Sequence, residues 1–183
     1  IYEYNPKKQY LFFASELKKM MTTDIVQLID EDMASQGENT SQNFEQKRQI
    51  GENDSYICKL IREDSCEEFI QYITQKNLNL SSQINECIFE TNTYLIENKP
   101  TLIEYAAFFG SIQIFQYLLL NNVEIKESLM LYAIHGRNPE IIHLIEKLHI
   151  VPEYNLNKCY VEAIKCHHNE IADYFENFIN LKR

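Results

Sequence analysis

Along most of the chain, apolar residues return every three or four positions, the period of packed helices. The clearest stretch is Thr101 to Glu127, TLIEYAAFFGSIQIFQYLLLNNVEIKE, in which no charged residue stands between Tyr105 and Val123. A membrane-spanning helix needs roughly 20 predominantly apolar residues. This run is broken instead by Gly110, Ser111, Gln113, Gln116, Asn121 and Asn122. It predicts two short buried helices, one ending near Phe109 and one running from Ser111 to Leu120. The second carries Ile112, Phe115, Leu118 and Leu119 on one stripe, widened by Ile114 and Tyr117. Asn121-Asn122 then supplies the residue type that tolerates a left-handed helix end.

The unit recurs. TLIEYAAFFGSIQIFQYLLL lies over SLMLYAIHGRNPEIIHLIEK from Ser128, with Tyr105-Ala106 over Tyr132-Ala133. CYVEAIKCHHNEIADYFENF follows, with Ala163 under Ala133 and Glu170-Ile171 under Glu140-Ile141. An earlier copy, YICKLIREDSCEEFIQYI, places Glu68 over Gln113 and Ile61 at the alanine position. One such helix pair cannot bury its own apolar face, so four of them predict a solenoid.

Thr101-Leu102-Ile103-Glu104-Tyr105-Ala106-Ala107-Phe108-Phe109-Gly110-Ser111 resembles the ankyrin signature T-P-L-H-x-A-A-x-x-G-H, and Tyr117 to Ile125 resembles its L-L-L-x-x-G-A-D-V. Leu102 replaces proline, Glu104 replaces histidine and Asn122 replaces glycine. From about Asn53 to Arg183 the chain resembles a diverged, protozoan-type ankyrin-repeat family with an uncharacterised N-terminal portion. The resemblance implies an all-α, ankyrin-type solenoid of about four repeats, near 54–77, 101–125, 128–151 and 155–180. It also implies a concave groove lined by residues flanking the paired alanines. These are Tyr105, Phe108 and Phe109 in the second unit, Tyr132 and His135 in the third, Glu162 and Lys165 in the fourth, and Leu60 and Glu63 in the first. Aromatic residues half-exposed in such a groove are the types that become binding hot spots. The alternative for Phe108 and Phe109 is that neighbouring repeats or the insertion at 78–100 cover them as core.

Residues 1–33 are expected to form an N-terminal helical segment. Pro6 suits a first turn, and Tyr10, Phe13, Leu17, Met20 and Met21 follow helical spacing. Thr22-Thr23-Asp24 then interrupts the helix or caps a second one bearing Ile25, Leu28, Ile29 and Met33. This segment either caps the array or pairs with another chain. Residues 34–52 are polar apart from Phe44 and Ile50 and are expected to be a linker.

Repeat spacing is informative. Ile61, Ala106, Ala133 and Ala163 stand 45, 27 and 30 residues apart, against about 33 for an ankyrin repeat. The surplus lies in an insertion, 78–100, containing Ile84, Ile88, Phe89, Tyr94, Leu95 and Ile96. Either it folds back onto the helices, with a short helix near Ser82 to Cys87, or it is a binding loop presenting Phe89 and Tyr94. Asp64-Ser65 is expected to cap the helix that follows it. Asn138-Pro139-Glu140 reads as a cap, a first-turn proline and a dipole-matched acid. Val151-Pro152-Glu153 should close the third unit.

Charge and chemistry narrow the function classes. With 17 basic and 27 acidic residues the formal net charge is -10, which repels nucleic acid and anionic lipid. Five cysteines, an odd number, predict free thiols in a reducing, cytoplasmic setting. The three N-x-S/T triplets at Asn39, Asn53 and Asn79 are then incidental. Ile1 in place of methionine implies a trimmed sequence, so targeting is not read from this end.

No glycine-rich phosphate loop, G-x-S-x-G, H-E-x-x-H or C-x-x-C occurs. Cys159 with Cys166-His167-His168 is the best metal candidate, but adjacent histidines at a turn diverge, and packed cysteines with solvated histidines account for the pattern better. Cys166 and His135 can be paired on successive repeats as nucleophile and base, without a third orienting residue. The expectation is therefore a non-enzymatic module with no cofactor, binding a protein of unknown identity through the groove or the insertion. The alternative is a homodimer formed through the N-terminal helix.

Overall fold

The computed structural model describes residues 9–35, 41–149 and 155–181. Pro6, Asn39, the turn at Val151-Pro152-Glu153 and the C-terminal Lys182-Arg183 lie outside them. The described residues are mostly helical and contain no β-strand, only an isolated antiparallel bridge between Gln83 and Thr101. No helix among them is long and apolar enough to cross a membrane. The chain divides into two compact units, 1–55 with 86–98, and 56–85 with 99–183.

The first unit contains α1 (Gln9–Phe12), α2 (Ala14–Met20), α3 (Thr23–Ser35), α4 (Ser41–Ile50) and α7 (Thr93–Asn98). Two expectations are corrected here. Within the stretch 34–52, read as a linker, Ser41–Ile50 forms α4, because Phe44 has an apolar seat: it is 1% exposed and meets Phe89 edge-on at 5.2 Å. The insertion does not act as one piece either. Its 86–98 part belongs to this unit, and Phe89, proposed as a partner-binding residue, is buried in a core of Leu11, Ala14, Ile29, Met33 and Phe44. No helix forms near Ser82 to Cys87; α7 lies later, with Leu95 buried and Tyr94 half-buried.

The N-terminal stripe is also rephased. A turn at Phe13 separates α1 from α2, so Leu11 and Ala14 point inward while Phe13 and Met20 are 53% and 80% exposed. Polar ties complete the unit. Arg48 forks onto both oxygens of Glu16 at 2.8 and 2.5 Å, and Thr91 returns to the Gly51 carbonyl through both its amide and its hydroxyl.

The second unit contains four helix pairs: α5 (Tyr56–Arg62) with α6 (Cys66–Lys76), α8 (Leu102–Phe109) with α9 (Ile112–Leu120), α10 (Leu129–Gly136) with α11 (Pro139–Lys147), and α12 (Leu156–Lys165) with α13 (Asn169–Leu181). First helices neighbour one another in the order α5, α8, α10, α12, and second helices in the order α6, α9, α11. The result is a two-row array in which α8, flanked on both sides, is buried from Leu102 through Ala107.

One backbone turn joins every pair. Asp64, Gly110, Arg137 and His167 all hold a left-handed φ, between 51° and 70°, and each directs its amide back into the helix it closes. The matching hydrogen bonds, Ser65 to Leu60, Ser111 to Ala106 and His168 to Ala163, place Leu60 at the alanine position. The alignment through Ile61 is therefore one residue out of register. It was inconspicuous because Leu60 and Ile61 are both buried.

The turns are pinned to one another. Ser111 Oγ donates to the Ile61 carbonyl at 2.5 Å, and Asn138 Nδ2 donates to the Gly110 carbonyl at 3.0 Å. Asp64 does not cap the helix that follows it. Its carboxylate accepts from the Gln113 and Ile114 amides, both at 3.0 Å, and so caps α9 of the next pair. Asn138 caps its own helix, accepting from Glu140 and Ile141 with Pro139 in the first turn. In α13, Glu170, Asp173 and Asn177 face outward, and Tyr174, Phe178 and Leu181 are exposed too.

Glu104, which stands where the ankyrin signature has histidine, is 3% exposed. One carboxylate oxygen accepts from the Thr101 amide at 2.8 Å and hydroxyl at 2.9 Å, closing a capping box, while the other accepts from Ser128 Oγ at 2.6 Å at the start of the next pair. Glu104→Ala leaves buried donors unpaired and is expected to cost about 2 kcal/mol, read as a lowered urea midpoint at unchanged slope. An unmoved midpoint would show that these bonds contribute nothing net.

Candidate functional site

The positions expected to line a groove separate into two classes. Tyr105 and Tyr132 are 1% and 2% exposed: both sit on first helices with neighbours on either side, so they are core rather than recognition surface. Tyr105 ends in a hydrogen bond from Arg62 Nη1 at 2.8 Å. Leu60 is buried as well. Phe108, Phe109 and His135 are half-buried, and the Lys165 side chain is 67% exposed.

The second class is continuous. The Arg62 guanidinium lies over the Phe109 ring at 5.9 Å, and the Phe108 and Phe109 rings meet at 5.1 Å. Phe108 stacks on the His135 imidazole at 4.8 Å with 24° between planes. His135 Nε2 lies 3.0 Å from Glu162 Oε1, and Lys165 Nζ lies 3.2 Å from Glu162 Oε2. In the register set by the turns, Arg62, Phe108, His135 and Lys165 occupy the same position of four successive repeats. A cation–aromatic–imidazole–cation row thus crosses the first helices near their C-terminal ends, where helix dipoles favour positive groups.

At the fourth repeat this row meets Cys166. Its Sγ lies 3.4 Å from His135 Nδ1 and 3.7 Å from Nε2. Burial pushes the His135 imidazole below its ordinary range, outweighing Glu162, which acts in the opposite sense. Burial and the Glu162 carboxylate push the Cys166 thiol up. Near neutral pH the pair is therefore an imidazole beside a thiol, not the imidazolium–thiolate that a cysteine nucleophile needs.

The sequence paired Cys166 with His135 and placed Glu162 on the same surface, but did not join the three. The signal available was the i, i+4 spacing of Glu162 and Cys166, which puts both on one helix face. Cys159 is buried, and neither it nor His167 or His168 belongs to the group. Compared with family models, with curated proteins and with solved structures, the chain finds no match. The ankyrin resemblance stands on this chain's own residues.

Proposed function

We propose that residues 56–85 and 99–183 form an ankyrin-type repeat array that works as a non-enzymatic protein-binding module, its contact surface being the row Arg62, Phe108, His135 and Lys165. The observation that carries this reading is positional. Four successive repeats present one equivalent, solvent-reached position each, filled by cationic and aromatic side chains, the types that dominate binding hot spots. Rigid neighbouring helices hold those side chains in place, which lowers the ordering cost of association. A net charge of -10 over the whole chain disfavours nucleic acid as the occupant. Tyr94, half-buried on α7, belongs to the other unit and is not part of this row.

Affinity capture from lysate tests it, using wild type beside a Phe108→Ala, Lys165→Ala variant whose fold is checked by circular dichroism. A partner held by wild type and lost by the folded variant supports the row. A partner held equally by both removes it from this surface.

A second reading, self-association, is favoured by one observation in the first unit: Phe13, Met20 and Leu28 are 53%, 80% and 59% exposed. Sedimentation velocity distinguishes it. A mass that stays at 21.7 kDa across concentrations would end that reading.

A further inference from the structure

We infer that His135, Glu162 and Cys166 form a three-ligand site for a borderline-soft divalent cation, zinc in particular. Their ligating atoms all lie within 4.8 Å of one another, and all three side chains are half-buried, near the surface but partly shielded. Two of the three ligand separations can be set against those around a single ion. Bond lengths of about 2.3 Å to sulfur and about 2.1 Å to nitrogen or oxygen put tetrahedral ligand atoms about 3.6 Å apart for S and N, and about 3.4 Å for N and O. The observed separations from His135 Nε2 are 3.7 Å to Cys166 Sγ and 3.0 Å to Glu162 Oε1. Glu162 Oε1 is close to that spacing, whereas Cys166 Sγ, 3.4 and 3.7 Å from the two ring nitrogens, lies beside the imidazole and must rotate toward Nε2 to close the site.

The geometry rests on backbone that is already held. Glu162 and Cys166 are four residues apart, at the last turn and cap of α12, and His135 is fixed against Phe108 by ring stacking. The two helices that carry these residues, α10 and α12, are direct neighbours. Lys165 occupies the other oxygen of Glu162, leaving Oε1 turned toward the imidazole.

The donor set is one nitrogen, one carboxylate oxygen and one sulfur. Sulfur disfavours magnesium and calcium, while the mixed set suits zinc and leaves a fourth position for water or an outside ligand. The form of His135 that ligates is the neutral imidazole. Cys166 must lose its proton to solvent as the ion binds, so binding weakens as pH falls. The site shares His135 with the proposed partner surface and touches its Phe108 and Lys165, but it needs no partner to be observed.

The test uses reduced, chelator-stripped full chain titrated with cobalt(II) and then zinc. The expected result is a thiolate-to-cobalt charge-transfer band with tetrahedral visible bands, saturating at one equivalent and displaced by zinc. Cys166→Ser should abolish the charge-transfer band, and His135→Gln should weaken zinc binding by at least about tenfold. Cys66→Ser, at another half-buried cysteine, should change neither. A band that survives Cys166→Ser assigns the metal to a different thiol and overturns the site. Absence of any stoichiometric binding by folded wild type overturns it as well, leaving a hydrogen-bonded triad that needs no ion.

Discussion

Gly136→Ala is expected to destabilise the repeat unit by about 2–3 kcal/mol, the upper range for forcing atoms into a packed interior. A Cβ at Gly136 would come within 2.1 Å of the Ala107 carbonyl oxygen, 2.9 Å of the Gly110 amide nitrogen and 3.1 Å of the Phe108 carbonyl oxygen. All three are backbone atoms at the end of α8, so no side-chain rotation relieves the clash and the two helices must separate. The sign is the informative part. Away from such a contact, alanine for glycine near a helix end is neutral or favourable by up to about 1 kcal/mol. Urea unfolding of the variant decides it. A midpoint equal to or above wild type would mean that α8 and α10 do not approach this closely in solution.

Gly110 faces the same junction. Its own Cβ would meet the Gly136 carbonyl at 3.0 Å, and its φ of 70° is left-handed. These two glycines set the distance between adjacent repeats, and that distance brings Phe108 onto His135. Widening it would separate the aromatic row, so loss of stability and loss of partner binding should travel together in Gly136→Ala. In Phe108→Ala, Lys165→Ala they should not.

Phe89→Ala is expected to cost about 3–5 kcal/mol, the usual range for deleting a fully buried phenyl ring. The loss should fall on the first unit, because Phe89 packs among Leu11, Ala14, Ile29, Met33 and Phe44 there. Lys47 Nζ, 5.3 Å above the ring, would lose its cation–π partner at the same time. Amide exchange resolved along the chain should show α2, α3 and α4 losing protection while α8 to α11 keep theirs. Had Phe89 been the exposed binding residue that its place in a long insertion suggested, the variant would unfold at the wild-type midpoint. Uniform deprotection of both units would instead show that they unfold as one.

Local sequence determined the helices of the repeats. Thr101 to Leu120 carries apolar spacing, a capping box at Thr101 and Glu104, and Gly110 where the chain must turn left-handed. Each of those signals acts within a few residues, which is why it can be read without a fold. Asn138-Pro139 is a second case, its amide side chain and proline doing at α11 what the dipeptide specifies.

Everything that depended on a partner distant along the chain was decided by tertiary structure. Phe44 alone in a polar stretch looked like linker, and it became core only because Phe89, far along the chain, supplied the other half of its surroundings. Asp64 carried a cap signal, but its carboxylate serves α9 in the next pair. Tyr105 and Tyr132 matched the groove positions of the resemblance, yet first helices crowded on both sides bury them.

The cluster of His135, Glu162 and Cys166 shows the same division. Helical spacing places Glu162 beside Cys166, a local fact visible in the sequence. Only the approach of α10 to α12, helices on which Ala133 and Ala163 are fully buried, brings the imidazole to both of them. Periodicity and capping are short-range and survive in the sequence as pattern; burial and convergence are set by which faces meet, and that information resides in no single segment.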